Sequence, residues 1–374
     1  MRLLILDQFS DPGGAQQALV ELLPAMQQRG WDALVGIPGN GPLFDQIGAL
    51  GLETAKVDCG PYRSGRKSPA DVLRFLRGAP RLARQIRLLV HQFQAGIVYV
   101  NGPRLLPALA GVQVPVVFHS HSYLGAGLAR RMAGEGLRRS QASIIAACRF
   151  TAEPWRKYVP RERLAVIYNG VAGSSRAGER HAGWPRIGCI GRIAPEKGQR
   201  EFLRAAAIIH RALPECRFTI YGAPLFSDAR AERYATRVRT EAAGLPVEFA
   251  GWAEDVYEAL AGLDLLLVPS VGPDATPRVI LEAYAAGVPV IAFSTGGIPE
   301  LAAGLPGTLA GSVEQMAALA IELLTGPPER MARLSETVRM QWRQRFTLER
   351  YHHEVLATIE CAARGSAARE LTNA

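Results

Sequence analysis

The sequence is poor in the features that mark membrane-spanning and disulfide-bonded proteins. No apolar run approaches the roughly 18–20 uncharged residues that a membrane-spanning helix needs. Asp7 interrupts the short apolar start, which is too brief for a signal-peptide core and indicates a first β-strand instead. Cysteine is scarce, odd in number and without any CxxC pair: Cys59, Cys148, Cys189, Cys216 and Cys361. A disulfide framework and a structural zinc site are therefore disfavoured, and a reducing cytoplasm is expected.

Several nucleotide-binding signatures are missing as well. No GxGxxG follows a predicted strand, which disfavours a dinucleotide-dependent oxidoreductase, and no GK[ST] is present, which excludes a P-loop. No DxD pair occurs anywhere in the chain. What remains is a sequence of 374 residues, 48% apolar and 21% charged. This length and composition suit two domains of roughly 150–200 residues, each with a full core.

The excess positive charge lies entirely in the first half. The formal net charge is +9, with 21 Lys+Arg and 11 Asp+Glu in residues 1–175 but 22 and 23 in the remainder. The basic residues are densest over 63–87, and a second cluster is Arg130, Arg131, Arg138 and Arg139. A solvated face explains this pattern, and so does contact with an anionic membrane or a phosphorylated lipid. Nucleic acid is not expected, because no aromatic residues interleave with the basic ones.

The segment Pro80–Phe93 predicts an amphipathic helix. Its apolar residues recur at helical spacing, at Leu82, Ile86, Leu89, Val90 and Phe93. The arginines of the segment fall elsewhere on the helical wheel. The apolar stripe either lies on a membrane surface or belongs to the core, and the sequence leaves both interpretations open.

Short apolar strands alternate with helices along the whole chain. The first half predicts strands at Arg2–Leu6, Ala33–Ile37, Ile97–Val100, Val114–His119, Ile144–Ala147 and Ala165–Tyr168, and a helix at Ala15–Arg29. The glycine-rich, polar segment Ala172–Trp184 indicates a linker. The second half predicts strands at Arg186–Ile190, Phe218–Tyr221, Val247–Phe249, Leu265–Val268, Val288–Phe293 and Gly307–Ala310, and a helix at Gln199–Arg211. Two such halves predict an α/β protein of two doubly wound domains around a central cleft.

Two carboxylates flank a predicted helix start in the second half. Asp274 and Glu282 are separated by seven residues, and the helix opens near Pro277, since proline is favoured at a first helical position. The backbone N–H groups of Thr276, Arg278 and Val279 would attract phosphate there. Phosphate at the tip with a carboxylate on either side favours a nucleotide sugar, although an ordinary capped αβ unit gives the same spacing.

Two further loops follow strands and carry ligand-binding residue types. Gly191, Arg192 and Lys197 lie between a strand and a helix, where the two cations would clamp a diphosphate. The pair Gly13–Gly14 follows the first strand and lets backbone approach a ligand closely. Arg192 and Lys197 could instead simply face solvent, and the glycine pair could instead form a tight turn.

A histidine pair ends the strand VVFHS. His119 and His121 alternate along the chain and point to the same side, so they could bind a metal. No third ligand cluster is evident, and no metal site is expected.

Together these stretches resemble the retaining GT-B glycosyltransferases of family 4, also called glycosyl transferase group 1. The resemblance covers nearly the whole chain and is carried by DPGGA (11–15), PVVFHSH (115–121), VIYNGV (166–171), IGRIAPEKG (190–198), GWAEDVYEALAGLDLLLVPS (251–270) and PDATPRVILEAYAAGVPVIAFSTGGIPEL (273–301). It implies two Rossmann-like domains: an acceptor-side domain over 1–172 and a nucleotide-sugar domain over 173–345. A last helix within 346–374 would cross back to the first domain.

The resemblance also implies roles for individual residues. Arg192 and Lys197 would act on the donor diphosphate, and Asp274 and Glu282 would take the places of the family's E-x7-E carboxylates on the donor sugar and ribose. His121 would lie beside the transferred sugar. The remaining donor-binding residues would be Gly13, Gly14, Asn169, Gly191, Trp252, Thr276, Pro277, Arg278 and Val279. No cofactor is implied; the donor would be a UDP-sugar, or else a GDP-sugar.

This sequence departs from the family pattern at two informative places. The first carboxylate is Asp274, one methylene shorter than the usual glutamate, and Pro277 has no N–H to offer a phosphate. The acceptor is expected near Gly13, His121 and the loop 62–67, as a glycan or lipid-linked molecule at the inner face of an anionic membrane. A catalytically silent sugar-nucleotide-binding protein and a GT-B epimerase or phosphorylase are the alternatives.

Overall fold

The computed structural model describes residues 1–11, 13–39, 41–60, 69–174, 183–224 and 229–372. The chain divides into two compact units, Met1–Tyr168 with Tyr351–Ala374, and Asn169–Arg350. The predicted acceptor loop 62–67 and most of the predicted linker, at 175–182, lie outside the described residues. None of the helices in the described ranges is long and apolar enough to cross a membrane.

The first unit is built on a parallel sheet with the strand order β3-β2-β1-β4-β5-β6-β7. Its strands are β1 (Arg2–Asp7), β2 (Asp32–Ile37), β3 (Glu53–Lys56), β4 (Ile97–Asn101), β5 (Val116–Ser120), β6 (Ser143–Ala146) and β7 (Leu164–Val166). Its helices before the second unit are α1 (Gly14–Gln28), α2 (Pro42–Ala49), α3 (Pro69–Gln92), α4 (Leu128–Arg139) and α5 (Arg149–Ala152). The strand order reverses between β1 and β4, which pair from Leu3 opposite Ile97 to Asp7 opposite Asn101.

The second unit repeats the plan with the order β10-β9-β8-β11-β12-β13. Its strands are β8 (Arg186–Ile190), β9 (Arg217–Tyr221), β10 (Val247–Gly251), β11 (Leu265–Val268), β12 (Val290–Phe293) and β13 (Leu309–Ala310). Its helices are α6 (Gln199–Ala212), α7 (Ala229–Glu241), α8 (Val256–Ala261), α9 (Arg278–Ala286), α10 (Ile298–Leu301), α11 (Val313–Thr325) and α12 (Pro328–Arg345). The order reverses here between β8 and β11, and ligands of open parallel sheets bind at the carboxyl side of such a reversal.

Apolar side chains cover both faces of each sheet. In β1 every residue after Arg2 is buried, and β4, β5, β11 and β12 are buried along their whole length. This burial explains the continuous apolar runs, because strands of a parallel sheet have no solvent face. The predicted α/β fold with two Rossmann-like domains is therefore confirmed.

Three local predictions were incomplete or wrong. Strand β3 was not predicted, because its sequence ETAK is half polar and it lies at the sheet edge beside β2. Helix α3 extends well before Pro80, which lies inside it at an exposed position. Pro277 is the N-cap of α9 and not its first helical residue, with φ −57° and an extended ψ of 113°.

The apolar stripe of α3 belongs to the core. Leu82 and Ile86 are buried among the core side chains of the first unit, and Leu89, Val90 and Phe93 pack against that core. A last helix, α13 (Leu348–Thr372), lies within the predicted range 346–374, and Tyr351 onward belongs to the first unit.

Candidate functional site

The loops after β8 and β11 meet at the reversal of the second sheet. The Lys197 Nζ atom lies 2.5 Å from Asp274 Oδ2, and Ser270 Oγ donates to the same oxygen at 3.5 Å. The Lys197 and Asp274 side chains are 31% and 19% exposed, so solvent and a ligand can still reach the pair. The sequence places these residues 77 positions apart, and the sheet order brings them into contact.

The backbone joins the two loops even more closely. The Glu196 carbonyl oxygen accepts hydrogen bonds from Val271 N at 3.1 Å and Gly272 N at 3.2 Å. Gly198 adopts the left-handed region at φ +73°, and a Cβ at that position would overlap the carbonyl oxygen of Pro269. The turn that carries Lys197 is therefore docked on the loop that leads to α9.

Arg192 is held by two contacts, and sequence reasoning predicted neither of them. Its guanidinium donates to Glu196 Oε1 at 2.6 Å. Its carbonyl oxygen accepts from Gln199 Nε2 at 2.9 Å, while Gln199 Oε1 accepts from Ala194 N at 3.4 Å. Gln199 is only 1% exposed, so a buried amide fixes the shape of the loop. A glutamine that opens a helix gives no sequence signal for this role.

The start of α9 is also tied down. Asn169 Nδ2 donates to Thr276 Oγ1 at 2.9 Å, and both residues are buried. Ile280 N–H donates to the Pro277 carbonyl at 3.1 Å, so the amides of Arg278 and Val279 come before the first helical bond. Amides at a helix start lack an intrahelical acceptor and carry the positive end of the helix dipole.

Glu282 lies one turn further along α9. Its Oε1 atom is 3.5 Å from Arg278 Nε, and the two side chains are 14% and 15% exposed. Arg278 thus offers a cation beside the second carboxylate in addition to its backbone N–H, a role that the sequence prediction did not include.

The remaining donor-side residues lie on neighbouring loops of the same sheet. Gly191 follows β8, at φ +147°, and donates its N–H to the Tyr221 carbonyl at 2.9 Å. Trp252 follows β10 directly and is 49% exposed. An exposed indole at a strand end is available to stack on a flat ligand.

In the first unit the glycine pair begins α1. Gly13 is the N-cap, with extended backbone and no side-chain cap, and Gly14 is the first helical residue. Directly below them the buried Asp7 carboxylate accepts from Phe9 N at 2.8 Å and from Gln16 Nε2 at 2.9 Å. This buried carboxylate was not among the predicted site residues, because in the sequence it is simply the end of an apolar strand.

His121 lies just after β5 with its ring stacked on that of His119, 3.8 Å between centroids. His119 is fully buried, and its Nδ1 shares a hydrogen bond of 2.5 Å with Tyr99 Oη. Burial, and then the neighbouring His121, hold the pKa of His119 well below its usual value. In the described ranges no three His, Cys, Asp or Glu side chains group as metal ligands.

A cavity of about 800 Å³ opens at the other end of the first sheet. It is lined at the amino ends of β5, β6 and β7 by residues such as Val116, Ser143 and Leu164, with Cys361 from α13. It contains none of the predicted site residues, and strand amino ends are not where such sheets bind ligands.

Two family profiles match this chain. The profile described as "Glycosyltransferase Family 4" matches residues 12–172, and the one described as "Glycosyl transferases group 1" matches residues 184–326. The chain is also similar to solved glycosyltransferase structures. Anabaena Alr3699/HepE in complex with UDP has a TM-score of 0.81 at 22% identity, with 96% of this chain and 100% of that chain covered.

Two of the similar curated proteins act on phosphatidylinositol derivatives, according to their names, while others are named for 2-deoxystreptamine or D-inositol 3-phosphate. The GDP-mannose-dependent monoacylated alpha-(1-6)-phosphatidylinositol monomannoside mannosyltransferase of Corynebacterium glutamicum is 32% identical over 158 residues, which are 40% of this chain and 40% of that protein. The phosphatidyl-myo-inositol mannosyltransferase of Mycobacterium leprae is 26% identical over 306 residues, 76% of this chain and 75% of that protein. The chain thus spans less than half the length of the first of these relatives. With both family profiles matched in order and the fold shared, the chain belongs to the group 1, family 4 glycosyltransferases of the GT-B fold.

Proposed function

We propose that this protein transfers a sugar from a nucleoside diphosphate sugar to an acceptor hydroxyl, with retention of anomeric configuration and without a metal ion or other cofactor. The observation that carries the proposal is the contact between Lys197 and Asp274 at the sheet reversal, beside the start of α9. This contact sets a cation and a carboxylate side by side at the place where such sheets bind nucleotides.

The diphosphate becomes more negative as the bond to the sugar breaks. Lys197, Arg192 and the amides of Arg278 and Val279 stabilise this charge, since donors aimed at developing charge usually contribute more to catalysis than any other group. With three sources of positive charge from the protein, a divalent cation is not needed for this task. The absence of a DxD pair from the sequence agrees with that assignment.

The two carboxylates orient the sugar end of the donor. The contacts of Asp274 with Lys197 and Ser270 fall on Oδ2. Its Oδ1 atom then accepts a hydroxyl of the donor sugar, and Glu282 accepts the ribose hydroxyls. The shorter Asp274 side chain lies close to Lys197, so sugar and phosphate binding are coupled through this pair.

Retention follows from departure and attack on one face of the sugar. We assign no carboxylate of the described residues as a nucleophile, so a diphosphate oxygen takes the acceptor proton. The acceptor O–H bond and the sugar–phosphate bond break, and the new glycosidic bond forms on the same face. We also assign His121 a contact with the transferred sugar, as the family resemblance implies.

The acceptor proposed here is lipid-linked, at the inner face of an anionic membrane. Helix α3 supports this, because its outward face carries exposed Leu73, Leu76 and Leu88. At 3.6 residues per turn these leucines share that face with the exposed arginines Arg74, Arg77, Arg81, Arg84 and Arg87. An exposed basic helix face is attracted to an anionic lipid surface, and leucines on that face add apolar contact with the lipid. The names of two of the curated relatives, which act on phosphatidylinositol derivatives, agree with this proposal.

A donor screen tests the proposed reaction and separates it from the alternatives. The protein is incubated with UDP-glucose, UDP-galactose or GDP-mannose, with and without EDTA, and release of the nucleoside diphosphate is followed. We expect slow release of the nucleoside diphosphate from donors with one of the two bases, uracil or guanine, and we expect EDTA to leave the rate unchanged. Binding without release would favour a silent sugar-nucleotide-binding protein, UDP-sugar interconversion would favour an epimerase, and loss of release in EDTA would contradict the metal-independent mechanism.

Vesicle binding tests the proposed acceptor surface. The protein should sediment with phosphatidylglycerol vesicles, less so with phosphatidylcholine vesicles, and should be released as salt rises because surface charges are screened. Arg77→Glu with Arg81→Glu should abolish sedimentation. Arg333→Glu with Arg343→Glu, the same charge change on α12, is the matched control and should not. Equal loss in both variants would mean that net charge alone is responsible, and no sedimentation of the natural protein would rule out the surface.

A further inference from the structure

We infer that Asp7 is a positioning residue for the glycine turn that begins α1, and that a proton on Asp7 releases this turn. The inference rests on the proposed function and on the donor-binding role that the family resemblance implies for Gly13 and Gly14. It is carried by a buried network at the reversal of the first sheet, where β1 and β4 end side by side at Asp7 and Asn101.

The network links the ends of two strands to the first turn of α1. Asp7 is fully buried and accepts hydrogen bonds from Phe9 N, from Gln16 Nε2 and, at 2.5 Å, from Asn101 Nδ2. The same Asn101 nitrogen donates to the Ala15 carbonyl at 3.3 Å. A Cβ at Gly13 would be 3.0 Å from Gln16 Oε1, so the Gln16 amide lies directly beneath the glycine. The ionised carboxylate therefore orients both amides that hold the turn.

The carboxylate has neutral donors around it and, within the described ranges, no cation at ion-pair distance. The titratable groups that face it are Tyr99 on β4 and Cys59 after β3. Burial raises the pKa of both well above the physiological range, so both are neutral. The nearby Arg104 lowers the pKa of Cys59, but by less than burial raises it. Burial accordingly raises the pKa of Asp7 to about 6, against the opposing effect of its hydrogen bonds.

Asn101 makes the network responsive to that proton. Its Oδ1 atom is buried and has no hydrogen-bond partner among the described residues. A protonated Asp7 becomes a donor, and it then faces the Asn101 nitrogen, which is also a donor. If the Asn101 amide rotates by half a turn, its Oδ1 atom accepts a hydrogen bond from the protonated carboxyl group. The rotation also moves the Asn101 nitrogen away from the Ala15 carbonyl. The first turn of α1 loses this tie, and Gly13 and Gly14 lose their fixed geometry.

Protonation of Asp7 stabilises the folded protein, although it releases the turn that the proposed function needs. Because the folded pKa lies above the usual carboxyl value, the folded protein binds the Asp7 proton more tightly than the unfolded chain does. The contribution of Asp7 to stability is therefore greatest below about pH 4 and falls as the pH rises through about 6. The ionised form that holds the turn is thus kept at a cost in stability, which is typical of a functional residue.

The pH dependence of sugar transfer gives the first test. We expect kcat/KM of the natural protein to fall on the acid side with a midpoint near the Asp7 pKa of about 6, about tenfold between the plateau and pH 5. Asp7→Asn imitates the protonated form, so its activity should be low and flat over that range. Asp32→Asn, an exposed aspartate at the start of β2, is the matched control and should keep the natural profile. An acid limb that persists unchanged in Asp7→Asn would show that the limb belongs to another group and would overturn the inference.

Hydrogen exchange gives a second test that needs no substrate. The Gln17 N–H donates to the Gly13 carbonyl at 2.8 Å, so peptides covering 13–19 report on the turn. After correction for intrinsic exchange, their protection in the natural protein should fall as the pH drops through about 6, while peptides from β12 should not change. Protection that stays constant with pH would overturn the inference even if sugar transfer is confirmed. Failure of the donor screen would leave this measurement intact, so the two proposals fail separately.

Discussion

Replacing Lys197 with alanine is expected to lower kcat/KM for sugar transfer by about 10²–10³, because it removes a donor aimed at the departing diphosphate. The fold should survive, since a partly exposed ion pair such as Lys197–Asp274 contributes at most about 1 kcal/mol to stability. That is well below the roughly 2.7–4 kcal/mol that such a donor contributes to the transition state. Initial rates and thermal unfolding of the same preparation compare the two quantities directly.

Control variants separate the loss of the Lys197 cation from the loss of its contact with Asp274. Lys157→Ala removes an exposed lysine outside the predicted site and should leave the rate unchanged, at a cost in stability of no more than about 1 kcal/mol for its contact with the Tyr158 ring. Arg192→Ala should be damaged to a similar extent as Lys197→Ala, since both cations act on one leaving group. If Asp274→Asn alone reproduces the full effect of Lys197→Ala and the double variant is no worse, the lysine acts only through the carboxylate. Near-normal turnover in both cation variants would remove the proposed mechanism.

The elements of the fold were largely predictable from the sequence, because parallel strands covered on both faces are continuous apolar runs. The runs at β8 and β11 were predicted with the bounds that the structure has. Edge strand β3 was missed for the converse reason, since it is half exposed and half polar. Pro80 was taken as a helix start, but α3 runs through it where the ring faces solvent.

The chemistry of the site was predictable only where residues are close in sequence. Arg192 and Lys197 occupy one loop, and Asp274 and Glu282 flank one helix start, so local spacing was sufficient to nominate them as candidates. The pairing of Lys197 with Asp274 depends on the order of strands in the sheet, which local patterns do not encode. Resemblance to the family implied that Asn169 and Thr276 both bind the donor, but their hydrogen bond was not predicted.

Buried polar residues were the hardest to predict. Gln199 and Asp7 lie beneath loops and touch backbone or amide groups, so neither has a spacing that identifies it. In a sequence, each resembles an ordinary residue at the boundary of a helix or strand. Their roles follow from burial together with satisfied hydrogen bonds, and both properties exist only in the folded chain.

Gly198 is the backbone position on which the cation loop depends, and Gly198→Ala is expected to lower kcat/KM by about 10², the effect of misplacing a catalytic group by about 1 Å. Two separate causes act at this residue. A Cβ in the left-handed region at φ +73° is strained, and it would also overlap the Pro269 carbonyl oxygen. Since that oxygen belongs to rigid backbone at the end of β11, the turn with Lys197 must move away from Asp274.

Gly307→Ala separates the two causes. Gly307 has nearly the same backbone angle, φ +74°, but a Cβ there would meet nothing within 4 Å. This variant should lose only about 1 kcal/mol of stability, the strain of a left-handed alanine, and should keep its activity. Melting temperatures and steady-state rates of the two variants, measured together, provide the comparison. If Gly198→Ala behaves like Gly307→Ala, the close approach to Pro269 does not position Lys197; if it loses activity while retaining cooperative unfolding, the loop geometry itself is part of the donor site.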